Sequence, residues 1–247
     1  MKTVLITGCS SGYGLATARH FHAQGWKVIA TMRTPRELDI APSSRFRVVA
    51  LDVTRPESIG RALDDIGPLD VLVNNAGIGL FGAFEATPMA TVREVFETNT
   101  FGTMAMCQAV IPRLRAQRSG TIVNVTSSAT LAPFPLVAAY TASKTAIEGF
   151  SASLALELHD FDVRVRLVEP GYGPGTNFSA NADDRIQGLI TEPYAAYAQG
   201  VFAEFMGATL TTTPEDVAEA VWLAANDTTN RLHRAAGPDA VALADRG

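Results

Sequence analysis

Short apolar runs alternate with stretches of helical character along the 247 residues, and that alternation limits the fold more than any other feature. Val4-Leu5-Ile6, Lys27–Met32, Arg47–Leu51, Val71-Leu72-Val73, Thr121–Val125 and Val163–Val168 read as buried strands, being short and rich in β-branched residues. Leu15–Ala23, Pro56–Ile66, Met89–Asn99, Phe101–Ala116, Ala138–Leu158 and Pro214–Ala225 read as helices between and after them. Ala235–Val241 reads as a short last strand with a turn. Repeated strand–helix–strand units predict an α/β, doubly wound sheet of about seven parallel strands, with right-handed crossovers and helices on both faces. No linker, repeat or low-complexity tract divides residues 1–247, so one domain is expected. Thr176–Thr213 breaks the rhythm, carries no strand signal, and reads as a helical lid or as ordinary surface helices.

Composition excludes several classes of function. With 47% hydrophobic and 18% charged residues the chain is globular, not disordered. A net charge of −5 provides no basic footprint for nucleic acid or an anionic membrane surface. No apolar run approaches the ~20 residues of a membrane span. Met1 leads directly into the first strand pattern without a signal-peptide core, and Cys9 and Cys107 read as free thiols, so a cytoplasmic location is expected. No Cys/His cluster has metal-ligand spacing, so no metal is expected.

The first strand runs into Thr7-Gly8-Cys9-Ser10-Ser11-Gly12-Tyr13-Gly14, which opens the first helix. Glycines there permit a tight turn and a close approach of backbone to a pyrophosphate at the helix N-terminus. The spacing differs from GxGxxG, but the strand–loop–helix context is that of a Rossmann-like dinucleotide site.

Tyr140 and Lys144 lie four residues apart, one turn of a helix. An ammonium beside a phenol favours the phenolate and brings the phenol, which normally titrates near ~10, toward useful acid–base chemistry. Alone, the pair also fits an ordinary surface helix.

In their order along the chain these motifs resemble the short-chain dehydrogenase/reductase family over nearly its full length. The matches are Thr7–Gly14, Asp52-Val53, Asn74-Asn75-Ala76-Gly77, Asn99, Ser127 thirteen residues before Tyr140, Tyr140-x3-Lys144 and Pro170-Gly171. The wording of Gly8–Gly12, Ala30–Arg33, Val168–Gly171 and Gly237–Ala240 is similar to a branch with 17-beta-hydroxysteroid and retinol dehydrogenases and bacterial carbonyl reductases. The resemblance implies that Tyr140 donates a proton to a carbonyl or accepts one from an alcohol. It implies that Lys144 lowers the Tyr140 pKa and binds the nicotinamide ribose, that Ser127 orients the substrate oxygen, and that Asn99 holds a water in a proton relay. Ser128 competes with Ser127 from the neighbouring position. The nucleotide would be held by Gly8, Ser10, Ser11, Gly12, Tyr13, Gly14, Asp52, Val53, Asn75, Ala76, Gly77, Tyr140, Lys144, Pro170, Gly171, Tyr172 and Thr176.

The second strand ends Ala30-Thr31-Met32-Arg33, with no acid at the tip to take ribose hydroxyls. Arg33 can pair with a 2′-phosphate, with Ser10 and Ser11 as further donors, so NADP(H) is expected over NAD(H). After Pro170-Gly171 the family places three residues before a Thr that touches the carboxamide. Here four intervene before Thr176, which leaves its register open. Ala129, Phe134, Tyr172, Phe178, Tyr194 and Phe202 form an expected substrate pocket, suited to a bulky uncharged ketone or secondary alcohol. Hydride transfer by a ketoreductase or alcohol dehydrogenase is the leading reading. A nucleotide-retaining dehydratase or epimerase, and a nucleotide-sensing non-enzyme, are the alternatives. A homodimer or homotetramer is expected from the family's habit of pairing the two long helices.

Overall fold

A computed structural model describes residues 1–40, 43–64, 66–176 and 183–246. Seven parallel strands, β1 (Thr3–Ile6), β2 (Lys27–Met32), β3 (Phe46–Ala50), β4 (Val71–Asn74), β5 (Gly120–Val125), β6 (Val163–Pro170) and β7 (His233–Ala236), form one sheet in the order β3-β2-β1-β4-β5-β6-β7. The order reverses between β1 and β4, and that reversal opens a crevice at the carboxyl ends of the strands. This is a Rossmann-like single domain.

Nine α-helices lie among the described residues: α1 (Gly12–Ala23), α2 (Pro56–Asp64), α3 (Met89–Phe96), α4 (Gly102–Gln117), α5 (Ala138–Leu158), α6 (Asp183–Ile186), α7 (Ala195–Met206), α8 (Pro214–Asn226) and α9 (Pro238–Ala244). Both faces of the sheet are covered, which explains why the strands read as continuous apolar runs. Alternate residues point to opposite sides. Val4, Ile6, Val28 and Val73 pack with Phe21 of α1 and with Val217 and Val221 of α8. Leu5, Ile29, Leu72 and Ile122 pack with Met106, Val110 and Leu114 of α4 and with Leu154 of α5. Phe21 is fully buried against Trp26 and Trp222, edge-on to both. Burial of a ring of that kind contributes about 1.5–3 kcal/mol. None of the helices among the described residues is long and apolar enough to cross a membrane.

Two expectations from sequence change. The helices expected at Met89–Asn99 and Phe101–Ala116 are one continuous rod, α3 and α4, joined through a π turn at Glu97–Phe101. No helix breaker separates them, so the chain absorbs the mismatch as one wide turn. The last strand ends at Ala236, and Pro238–Ala244 is helix and not strand. Gly237 makes the turn at φ +92°, Pro238 occupies the first helical turn where its missing N–H costs nothing, and Asp239 suits the positive end.

Candidate active site

A cleft of about 1270 Å³ opens along the carboxyl ends of the strands. It is larger than the ~300–1,000 Å³ usual for one small ligand, so it has room for a dinucleotide with a substrate beside it. Its floor is the β1–α1 loop. Thr7 Oγ1 accepts from the Asn75 and Ala76 amides at 3.0 Å each, and Asn75 Nδ2 donates to the Thr7 and Gly8 carbonyls at 3.0 and 3.2 Å. Asn75 thus ties the loop to the end of β4. The fit requires glycine at two places. Gly8 sits at φ +74°, and a Cβ there would lie 2.8 Å from Ala76 Cα. A Cβ on Gly14 would lie 2.3 Å from the Gly8 carbonyl oxygen. Ser11 precedes α1 without capping it through its side chain, so the first-turn amides of α1 remain open to an anion. This cradle fits a pyrophosphate.

Gly8, Ser10, Ser11, Gly12, Tyr13, Arg33, Asp52, Val53, Asn75, Ala76, Gly77, Pro170, Gly171, Tyr172 and Thr176 all line the cleft; Gly14 lies beneath, packed on Gly8. Burial opposes ionisation of Asp52. The Thr54 hydroxyl and amide, with Arg33 and Arg55 nearby, nevertheless hold its carboxyl below the usual range. Thr176 lines the cleft. A turn returns its amide and hydroxyl to the Gly173 carbonyl at 3.3 and 2.9 Å, and its methyl side faces Gly12 across the cleft. The Tyr13 hydroxyl donates to the Gly171 carbonyl at 3.4 Å and fills the space beside Gly173.

Further along the cleft stand Ser127, Tyr140 and Lys144. Ser127 follows β5, and its hydroxyl accepts from the Ala129 amide at 3.2 Å while bonding the Tyr140 phenol. The structure therefore brings Ser127 to Tyr140, and Ser128 is buried beside it. Lys144 is buried on α5, donates from Nζ to the Val125 carbonyl at 3.0 Å, and lies close to Gly77. Burial pushes its amine down to about 8, against the pull of Glu148. The expected lowering of the Tyr140 phenol is not found: burial pushes it up to about 12, and only the Ser127 hydroxyl acts in the other direction. The phenol stays protonated, which is the form a proton donor needs.

Asn99 lies beneath the cleft, fully buried in the π turn. Its Oδ1 accepts from the Ile78 amide at 2.8 Å, and its Nδ2 donates to the Ile78 carbonyl and Ser143 Oγ at 3.0 Å each. Its carbonyl accepts from Thr103 Oγ1 at 2.8 Å. The side chain is thus committed to holding the β4 loop and α5 together, so any water it helps to hold cannot rest on a free amide.

Of the expected substrate pocket, Ala129, Phe134, Tyr172 and Phe202 line the cleft. Phe81 stacks on Phe202 with centroids 4.7 Å apart, and Phe205 lies between Phe134 and Tyr172 at 6.1 and 5.2 Å. Tyr194, which ends the turn before α7, is not among the lining residues. Phe178 lies outside the described residues.

Three further elements were not selected from sequence. Arg36 donates from Nη2 to the Ser10 carbonyl and so ties the segment after β2 to the glycine loop; its proximity to Arg33 in the chain was the available signal. Asp239 accepts from the Tyr172 amide and from Thr212 Oγ1, both at 2.6 Å. Arg185 of α6 pairs with Glu94 of α3 at 3.0 Å, a link between distant segments that no local pattern signals.

Comparison with known proteins agrees with this arrangement. A family model described as short chain dehydrogenase matches residues 2–187. A 3-ketodihydrosphingosine reductase from Bacteroides thetaiotaomicron is 42% identical over 174 residues, covering 69% of this chain and 63% of that protein. Retinol dehydrogenase 8 from Bos taurus is 42% identical over 182 residues, covering 69% of this chain and 58% of that one. The matched stretch thus spans less than two thirds of these relatives' own length. Among solved structures, a short-chain dehydrogenase from Streptomyces avermitilis superposes with a TM-score of 0.83 at 34% identity, covering 99% of this chain and 91% of that one. A serine dehydrogenase in complex with NADP+ gives 0.80 at 30% identity, covering 94% of each chain. In motifs, in strand order and in the meeting of Ser127 with Tyr140 above Lys144, the chain belongs to the short chain dehydrogenase family.

Proposed function

We propose that this protein is an NADP(H)-dependent oxidoreductase that reduces a hydrophobic ketone or aldehyde to the alcohol and also runs the reverse. The observation that carries this reading is the Ser127–Tyr140 hydrogen bond, with buried Lys144 alongside, in one cleft with the glycine loop. The residues of the cleft floor would hold the nucleotide, which when bound supplies a hydride to the carbonyl carbon. The chain's own residues handle the oxygen. The Ser127 hydroxyl and the Tyr140 phenol both bond the carbonyl oxygen and orient it. As negative charge develops there, Tyr140 Oη gives up its proton, since an alkoxide is a stronger base than a phenolate. The ammonium of Lys144 lowers the cost of the phenolate left behind. Asn99 keeps Ile78 and Ser143 fixed, so the Tyr140–Lys144 turn is rigid. No step needs a metal.

The aromatic wall formed by Phe81, Phe134, Tyr172, Phe202 and Phe205 supports a bulky, uncharged substrate. Arg33 at the cleft and Arg36 on the Ser10 carbonyl support a preference for the 2′-phosphate of NADP(H). Exposed Phe101 and Leu156, at the start of α4 and late in α5, support pairing of two copies through these helices. Free, buried Cys9 and Cys107 suit a reducing compartment, the cytoplasm in this reading.

The test is steady-state kinetics with aromatic, steroidal and aliphatic ketones, using NADPH and NADH, for the wild type and Arg33→Asp. The reading expects turnover of at least one apolar ketone, with NADPH favoured by the wild type and NADH by the variant. Equal kcat/KM for the two nucleotides in the wild type removes the cofactor preference, and no net oxidation of either nucleotide with any carbonyl removes the reaction. Light scattering checks the dimer or tetramer.

A further inference from the structure

Behind Lys144 stands a second group of titratable side chains. Glu148 follows Lys144 by four residues on α5, so the two share one face of the helix, a turn apart. Three other elements reach its carboxylate or its neighbours. From the turn after Ser127, Thr130 Oγ1 lies 3.1 Å from Glu148 Oε1 and 2.7 Å from the Ser127 carbonyl. From β7, His233 Nδ1 lies 3.4 Å from Glu148 Oε2. From β6, Glu169 Oε1 lies 2.6 Å from the same His233 nitrogen. The side chains of Glu169, Glu148 and His233 are 1%, 15% and 56% exposed, so the group runs from the interior out to solvent.

This placement bears on the lysine. An ammonium moved into the interior loses hydration, and burial alone drives it toward the neutral amine. A neutral amine would neither stabilise a phenolate nor pair with an anionic group. The Glu148 carboxylate, one helical turn on, acts to keep the lysine charged. The single hydroxyl proton of Thr130 is shared between the Ser127 carbonyl and the Glu148 carboxylate, so one residue lies against both the counter-charge and the segment of the oxygen-orienting serine.

We propose that Glu148 is a positioning residue that keeps Lys144 cationic. Lys144 then holds its proton through neutral pH and releases it as pH rises. This role rests on the proposed reduction chemistry for its purpose, but the ionisation of Lys144 can be read without turnover.

The experiment is a pH titration of the lysine ε-methylene signals by 13C NMR, with the Lys144 signal assigned by its loss in Lys144→Met. Wild type, Glu148→Gln and Glu148→Asp are compared, with thermal melts alongside. The Lys144 midpoint is expected to fall by roughly one pH unit in Glu148→Gln and to be largely restored in Glu148→Asp. The basic limb of kcat/KM for reduction is expected to move by the same amount in the same direction. Coincident Lys144 midpoints for the wild type and Glu148→Gln overturn the proposal, even if activity falls. A shifted midpoint in a protein that reduces no carbonyl leaves the counter-charge in place and removes the proposed reaction instead. Should Glu148→Gln fail to fold, Thr130→Val loosens the same carboxylate; a smaller shift downward supports the proposal, and an unmoved midpoint refutes it.

Discussion

Asp239 holds together three segments that are distant in sequence, and its replacement separates two kinds of loss. Its Oδ2 accepts from the Tyr172 amide and its Oδ1 from Thr212 Oγ1, both at 2.6 Å. The Thr212 amide in turn donates to the Tyr172 carbonyl at 2.7 Å. One carboxylate of α9 therefore fixes the loop after β6 to the segment that ends the lid region. A hydrogen bond to a charged group is worth about 1.5–3 kcal/mol. Asp239→Ala removes two and leaves the Tyr172 N–H without its acceptor, so a loss of about 3 kcal/mol is a conservative expectation. For a chain of this size that lowers the Tm by roughly 6–12 °C. Asp239→Asn has a different outcome. Its carbonyl oxygen can still accept from Tyr172, while its amide donates to Thr212 Oγ1. The Thr212 hydroxyl then turns to the Ala236 carbonyl, which already lies 3.1 Å away. The network survives without its charge, and a loss of about 1 kcal/mol is expected. Calorimetric melts of the two variants, with nucleotide affinity by fluorescence, provide the assay. The reasoning is refuted if Asn is as damaging as Ala, or if Ala melts within a degree or so of the wild type.

Gly14→Ala places a Cβ 2.3 Å from the Gly8 carbonyl oxygen, so the loop must shift. A folded protein weakened by about 1–3 kcal/mol, with nucleotide affinity down at least ~10-fold, is expected by calorimetry and fluorescence titration; unchanged affinity would show that the loop does not cradle the nucleotide. Asp227 is held near a pKa of about 2, chiefly by the Thr229 hydroxyl and amide and also by Arg166 and Arg234. The folded value lies below the unfolded value, so its stabilisation is complete above about pH 4 and disappears as pH falls toward 2. Urea unfolding of Asp227→Asn should therefore differ from the wild type at pH 5 and converge with it near pH 2, and a gap independent of pH contradicts this. Burial pushes both Cys9 and Cys107 up to about 12, so neither thiol should react with an aromatic disulfide reagent in the native protein at pH 8, and both should react in denaturant.

The sheet was legible in the sequence because parallel strands covered on both faces are mostly apolar and β-branched, and the first six runs are, despite Lys27, Arg47, Asn124, Arg164 and Arg166. Tyr140, Lys144, Ser127 and the glycine loop were legible because their spacings within one chain segment set their geometry. What could not be read depended on contacts between distant segments. The contacts of Asp239 with Tyr172 and Thr212, far away in the chain, are not encoded by local pattern. The continuity of α3 and α4 depends on Asn99 bonding Ile78 and Ser143 across the π turn. Tyr194 was selected for its chemistry, but it does not line the cleft, while Phe202 of the helix that follows does. The Tyr140 phenol was expected to fall under the influence of Lys144; burial raises it instead, with only the Ser127 hydroxyl acting the other way, and burial is a property of the assembled fold.

The central claim is that the Tyr140 hydroxyl delivers the proton to the reduced oxygen. Its most direct test is Tyr140→Phe, assayed with NADPH and the ketone that the wild type reduces fastest, alongside nucleotide binding. The account predicts that kcat falls by about 10²–10⁴-fold while the nucleotide dissociation constant changes by less than about threefold. Reduction at the wild-type rate by the phenylalanine variant would contradict it.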